Sequence, residues 1–182
     1  MEKNENPWKI IEQRSIYENQ WINLTEYDVI NPNGGQGIYG KVHMQKLALG
    51  VLVLDDEENV YLVGQYRFAI DQYSWEIPEG GGEIGEQPIE GAKRELLEEA
   101  GIVAADWSEL LVMHTSNSVT DEKAIVFVAK DLKFTQNAPD ETEDLKQLKM
   151  PFKQALQMVI NGEITDSMSV AGILKYALLK TL

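Results

Sequence analysis

Residues 47–54, LALGVLVL, form an unbroken apolar run of strand length, and residues 60–66 form a second. Both read as β-strands, and Asp55-Asp56-Glu57-Glu58-Asn59 between them reads as a solvated hairpin turn rather than a metal site. Upstream, from Trp8 to about Lys46, the pattern is short and β-like. Residues 21–30 alternate Ile22, Leu24 and Glu26 against Trp21, Asn23, Thr25 and Tyr27, as a half-exposed strand does, and Asn31-Pro32-Asn33-Gly34-Gly35 closes it with turn residues. Two or three antiparallel strands are expected here. So small a sheet is marginal alone and needs to pack on the main domain or on a second subunit.

Downstream, residues 74–78, SWEIP, read as a short strand stopped by proline. Gly80, Gly81 and Gly82 then let the backbone turn tightly and approach a ligand. Helix signals follow, with Glu86 near the N-cap, Pro88 in the first turn and Gly101 just past the end. Ile89, Ala92, Leu96 and Ala100 give that helix a narrow apolar stripe, so its acidic face looks out into a cleft. Residues 110–115 and 124–129 read as strands flanking the loop Ser116–Glu122, and residues 139–144 as a polar, acidic loop. A helix is expected over 151–161, ending at Gly162, and Ser167 is placed to cap a last helix from Met168 to about Lys180. Strands and helices interleave without a regular βαβ repeat.

The acidic face carries the first chemical clue. Glu95, Glu98 and Glu99 stand at i, i+3 and i+4, where each like-charged pair costs about 0.2–0.5 kcal/mol. They also fall in the last turn, where the helix dipole already disfavours acids. A hard divalent cation relieves such a cluster, and oxygen ligation with room for water and phosphate suits Mg²⁺ or Mn²⁺.

Composition narrows the partners. At 182 residues the chain supports one full core, with a small appended sheet. Its net charge of −14 argues against nucleic-acid backbones and anionic membranes as partners. A phosphate-bearing substrate remains compatible if metal ions supply positive charge. The absence of cysteine excludes disulfides, thiol nucleophiles and thiolate metal sites, and fits the cytoplasm. No run approaches a membrane span, and the N-terminus lacks an apolar signal core. His43 and His114 lack partner histidines at metal spacing and read as ordinary strand residues.

As a pattern, residues 80–102 are Gly80, five residues, Glu86, seven residues, then Arg94-Glu95-Leu96-Leu97-Glu98-Glu99-Ala100-Gly101-Ile102. This matches every fixed position of the Nudix box, the signature of hydrolases acting on a nucleoside diphosphate linked to another moiety. Gln65-Tyr66-Arg67, the segment SWEIPEGG at 74–81, the loop Ser116–Glu122 and the C-terminal GEITDSMSVAGILKYALL resemble the ADP-ribose and nucleotide-sugar pyrophosphatase branch. The resemblance implies an α/β/α sandwich around a mixed sheet over residues 47–182. It also implies a homodimer in which exchanged N-terminal strands, residues 1–46, complete the partner's substrate site. One departure stands out: many ADP-ribose hydrolases carry a proline in the loop where this chain has Asn117 and Ser118.

By position in the box, the resemblance implies metal binding by Glu95, Glu99 and Glu98 and by the backbone carbonyl of Glu79. Gly80, Glu86, Arg94 and Gly101 take structural roles, Arg94 and Glu86 as a pair. Arg67 suits a grip on the substrate diphosphate, and Glu76 lies in the resembling segment as a further substrate contact. Trp8, Tyr17 and Trp21 can stack on a nucleobase. For the general base, Glu122 occupies the position used in the resembling branch, and Glu98 is its rival. The substrate expected is a nucleoside diphosphate sugar such as ADP-ribose, with GDP-mannose or a dinucleoside polyphosphate as alternatives. A non-catalytic nucleotide-sugar sensor is the alternative of another class, although such modules commonly lose box carboxylates that are all present here.

Overall fold

In the computed structural model, which describes residues 5–83, 85–135 and 145–181, the apolar run at Leu47–Leu54 becomes β4, the strand on which the larger sheet is built. β4 runs parallel to β9 (Lys123–Phe134) and antiparallel to β5 (Asn59–Arg67) and β7 (Glu79–Gly82). The sheet's main path is β10-β5-β4-β9-β8, where β8 is Ile102–His114 and β10 is Lys146–Pro151, and β6 (Gln72–Glu76) pairs with β5.

The period of two in β4 explains why it has no polar side. Leu49, Val51 and Val53 point to one face, where they meet Ala92 and Leu96 of helix α1 (Pro88–Ala100). Leu52 and Leu54 point to the other, where Phe152, Ala155 and Ile173 of α2 (Phe152–Ile160) and α3 (Ser167–Leu179) close a second core. This is the α/β/α sandwich expected.

The N-terminal strands form a separate antiparallel sheet, β1 (Lys9–Glu18), β2 (Ile22–Ile30) and β3 (Gln36–Met44). The chain divides into two compact units, Met1–Lys46 with Ser116–Glu122, and Leu47–Thr115 with Lys123–Leu182. The first unit therefore takes a loop from the middle of the chain in addition to the strands expected at 1–46.

Several expectations need correction. The glycines at 80–82 do not form a turn; they are extended in β7 and pair with Leu47, Ala48 and Leu49 of β4. Residues 21–30 do not alternate in exposure, because nearly every residue of β2 is half-buried. β8 begins at Ile102, directly after α1, rather than at 110. Residues 146–151 form an edge strand, β10, so Pro151 ends a strand and occupies the N-cap position of α2. Asp166, not Ser167, caps α3, its carboxylate accepting the Ser169 amide at 2.7 Å. The loop expected at 139–144 lies outside the described residues. Among the described residues no helix is long and apolar enough to cross a membrane.

Candidate active site

Helix α1 starts with Pro88 in its first turn, where a missing amide hydrogen is harmless, and ends at Gly101, whose φ of 64° is left-handed. Ala92, Leu96 and Ala100 go into the core, which fixes the rotation of the helix and hence the direction of the next face. That face carries Arg94, Glu95, Glu98 and Glu99. It is not uniformly outward as expected, because Glu99 is only 2% exposed.

Two of these carboxylates converge on one short stretch of backbone, residues 79 and 80. The Oε2 atom of Glu99 accepts the amide of Glu79 at 2.8 Å. The carboxylate of Glu95 lies so close to Gly80 that a Cβ there would stand 2.2 Å from its Cδ. Glu79, whose backbone carbonyl is a further predicted ligand, thus has Glu99 at its amide and Glu95 beside the next residue. Gly80 is required here by close approach and not by a turn.

Arg94 is the counter-charge. Its guanidinium reaches Glu95 at 2.7 Å, Glu98 at 2.9 Å, the carbonyl of Gly81 at 2.9 Å and Glu86 at 3.5 Å. Burial works against its charge, but Glu95 and Glu98 outweigh burial and hold it more firmly protonated than usual. Glu86 does not cap α1, since Gln87 holds the N-cap position; its carboxylate instead accepts the Glu83 amide at 3.0 Å. The hard oxygen donors of Glu95, Glu98, Glu99 and the Glu79 carbonyl, with a cradle at Gly80 that a Cβ would fill, fit a divalent cation of the Mg²⁺ or Mn²⁺ type.

On the other side of Glu79, the side chains tell a different story. Arg67, at the end of β5, donates from Nε and Nη2 to the buried carboxylate of Glu76 and from Nη2 to Glu79 at 2.9 Å. Asp166 joins Glu76 and Glu79 in a tight group of carboxylates. Burial, then the charges of Asp166 and Glu76, push the Glu79 carboxyl well up, and Arg67 only partly offsets them. Its Oε2 is buried without a hydrogen-bond partner among the described residues. The predicted grip residue Arg67 is therefore anchored by Glu76 and Glu79, with 36% of its side chain exposed.

The remaining predicted residues lie in the first unit. Tyr17 and Trp21 are 55% and 58% exposed on the N-terminal sheet. Trp8 packs edge-on against Tyr39, centroids 5.4 Å apart, beside a cavity of about 320 Å³ lined also by Tyr27, Val29 and Lys41. Glu122 ends the loop Ser116–Glu122, and its neighbour Asp121 contacts His43, Lys41 and the Met44 amide. Burial opposes it, but these three partners lower the Asp121 carboxyl to about 2. His43 lies in strand β3, as expected, with its ring against Asp121. Sequence reasoning missed Asp121, Asp166 and Tyr39, since no spacing rule links positions so far apart in the chain.

Comparison with known proteins identifies two matching family models. A model of the NUDIX domain matches residues 44–167, and one of the nucleoside diphosphate sugar hydrolase N-terminal domain matches residues 8–42. The ADP-ribose pyrophosphatase of Mycobacterium tuberculosis is 30% identical over 173 residues, covering 93% of this chain and 83% of that protein. The methanol dehydrogenase activator of Bacillus methanolicus is 32% identical over 167 residues, covering 91% and 90%. The crystal structure of an ADP compounds hydrolase matches with a TM-score of 0.86 at 21% identity, covering 98% of this chain and 96% of that one, which speaks for the fold. With an intact box on α1 and a family model spanning most of its length, the chain belongs to the Nudix hydrolase family.

Proposed function

We propose that this Nudix hydrolase cleaves the diphosphate linkage of a nucleoside diphosphate sugar, ADP-ribose or a near relative, to a nucleoside monophosphate and a sugar phosphate. The observation that carries this reading is the convergence of Glu95 and Glu99 on residues 79 and 80, Glu99 at the Glu79 amide and Glu95 at the Gly80 Cα. Similarity to an ADP-ribose pyrophosphatase and the matched N-terminal domain support the substrate class.

Glu95, Glu98, Glu99 and the Glu79 carbonyl hold Mg²⁺, or Mn²⁺ in its place. When bound, the metal screens the diphosphate charge and lowers the pKa of the attacking water. Arg94 holds Glu95 and Glu98 in position, with Glu86 bracing it, and Gly80 and Gly101 give the backbone its form. Arg67, oriented by Glu76 and Glu79, grips the diphosphate through a fork of donors. Glu122 takes the proton of the attacking water as general base, and Glu98 is the alternative. Tyr17, Trp21 and Trp8 offer faces on which a base can stack. Ile10, Ile16 and Ile38, each more than half exposed on the N-terminal sheet, support burial of that sheet in a homodimer. The cysteine-free composition supports the cytoplasm as its compartment.

The similarity to a methanol dehydrogenase activator favours a second reading, in which the chain acts on behalf of a partner enzyme. A panel of nucleoside diphosphate sugars, incubated with and without Mg²⁺ and followed by phosphorus NMR, separates the two. Turnover of ADP-ribose or a relative supports hydrolysis of free substrate, and no turnover of any member sinks it. Labelled water then shows which phosphorus is attacked.

A further inference from the structure

The carboxylate of Asp121 meets three partners in the first unit. Its Oδ2 lies 2.7 Å from His43 Nδ1 and 3.1 Å from Lys41 Nζ, and its Oδ1 accepts the Met44 amide at 3.0 Å. All three partners belong to β3, which is itself held in register by β2 through Thr25–Lys41 and Asn23–His43. The backbone repeats the attachment. The Val42 amide donates to Val119 at 2.9 Å, the Asp121 amide donates back to Val42 at 3.2 Å, and the Tyr39 hydroxyl donates to the Ser118 carbonyl. Val42 and Thr120 form a parallel bridge. The loop Ser116–Glu122 is therefore latched onto the edge of β3 as a short extra strand, and the strongest point of the latch is one residue before Glu122.

We propose that Asp121 is a positioning residue for catalysis: by binding His43, Lys41 and the Met44 amide, it fixes the backbone from which Glu122 acts. The proposal rests on the reading of Glu122 as general base. Adjacent Cα atoms are about 3.8 Å apart across a trans peptide, so anchoring Asp121 confines the Glu122 backbone directly. A misplacement of about 1 Å in a catalytic group costs on the order of 10²-fold. The latch also gives the N-terminal sheet a task beyond substrate contact, since His43 and Lys41 belong to it.

The test compares Asp121→Ala, Glu122→Gln and the double variant in kcat and KM for ADP-ribose at saturating Mg²⁺. Asp121→Ala should lower kcat about 10- to 100-fold with KM changed less than about threefold. Asp121→Asn keeps an acceptor for the Met44 amide, loses the ion pairs and should fall between wild type and alanine; it also serves if the alanine variant folds poorly. Because Asp121 acts through Glu122, the double variant should be no slower than Glu122→Gln alone. A purely structural role would instead give multiplicative losses, and that outcome overturns the proposal. Wild-type kcat in Asp121→Ala beside a slow Glu122→Gln also overturns it while leaving the base assignment intact. Normal turnover in Glu122→Gln removes the base assignment itself, and the proposal with it.

Discussion

Replacing Gly80 with alanine should lower kcat/KM about 100-fold while leaving the fold in place. The added Cβ would stand 2.2 Å from both Cδ and Oε2 of Glu95 and 2.7 Å from Oε1. Ordinary carbon contacts are about 3.5–4.0 Å, so the Glu95 carboxylate must retreat by more than about 1 Å. That retreat displaces a carboxylate proposed to hold the metal. A 1 Å misplacement costs on the order of 10²-fold, or about 2.7 kcal/mol of transition-state stabilisation. The backbone does not resist the change, since Gly80 is not among the residues with positive φ. Initial rates on ADP-ribose across a Mg²⁺ titration should show a raised metal requirement as well as the lower kcat/KM, with a thermal melt confirming the fold. Gly82→Ala, on the same strand, is the control: the nearest atoms to its Cβ belong to the Leu49 and Leu47 side chains, the first at 3.0 Å, and near-normal kinetics are expected. A folded Gly80→Ala enzyme with wild-type rates and metal dependence would refute the reasoning.

The remaining predictions probe other parts of the account. Glu122→Gln should reduce kcat by several orders of magnitude with little change in KM, whereas the same loss in Glu98→Gln alone would transfer the base role to Glu98. Glu79→Gln should keep kcat within about threefold, because the ligand proposed at this position is a backbone carbonyl. The folded Glu79 carboxyl titrates above its ordinary value of 4.5, so the stability its proton confers is complete below that pH and is lost as pH rises toward the folded value. Glutamine stays neutral throughout, so melts should show Glu79→Gln gaining on wild type from pH 4 to pH 8. Asp55→Ala should cost about 1–3 kcal/mol in urea unfolding with unchanged kinetics, because Asp55 accepts the amides of Glu57 and Asn59 and binds Tyr61 and Lys149. Burial opposes its charge, yet those partners hold the Asp55 carboxyl well below its ordinary 3.8. The difference between Asp55→Ala and wild type should therefore be full above that pH and shrink as pH falls below it.

The parts of the fold that could be read from the sequence are those where a short-range pattern has one structural meaning. Residues 47–54 have no polar position, and β4 is covered on both faces. Pro88, the apolar stripe and Gly101 bracket α1 because helix ends have local chemistry. The spacing of Glu95, Glu98 and Glu99 was legible for the same reason. Other features depend on contacts that local patterns do not encode. Gly80 reads as a turn residue, but its small size serves the approach of Glu95 from another element. β10 carries Lys146, Gln147 and Lys149, polar residues suited to an exposed edge and easily taken for a loop. Asp166 and Ser167 are equally good caps by residue type, and only the bond to the Ser169 amide distinguishes them. His43 and Asp121 are 78 residues apart in the chain, and neither has a sequence signal pointing to the other.

The central proposal is that the acidic face of α1, with the Glu79 carbonyl, supports metal-dependent cleavage of a sugar-linked diphosphate. Incubating the protein with ADP-ribose in Mg²⁺, in EDTA, and in EDTA with Mg²⁺ restored, tests it directly. The account predicts AMP and ribose 5-phosphate in the first and third samples and intact ADP-ribose in the second. Equal cleavage in all three samples would contradict the metal site, and no cleavage in any would contradict the substrate.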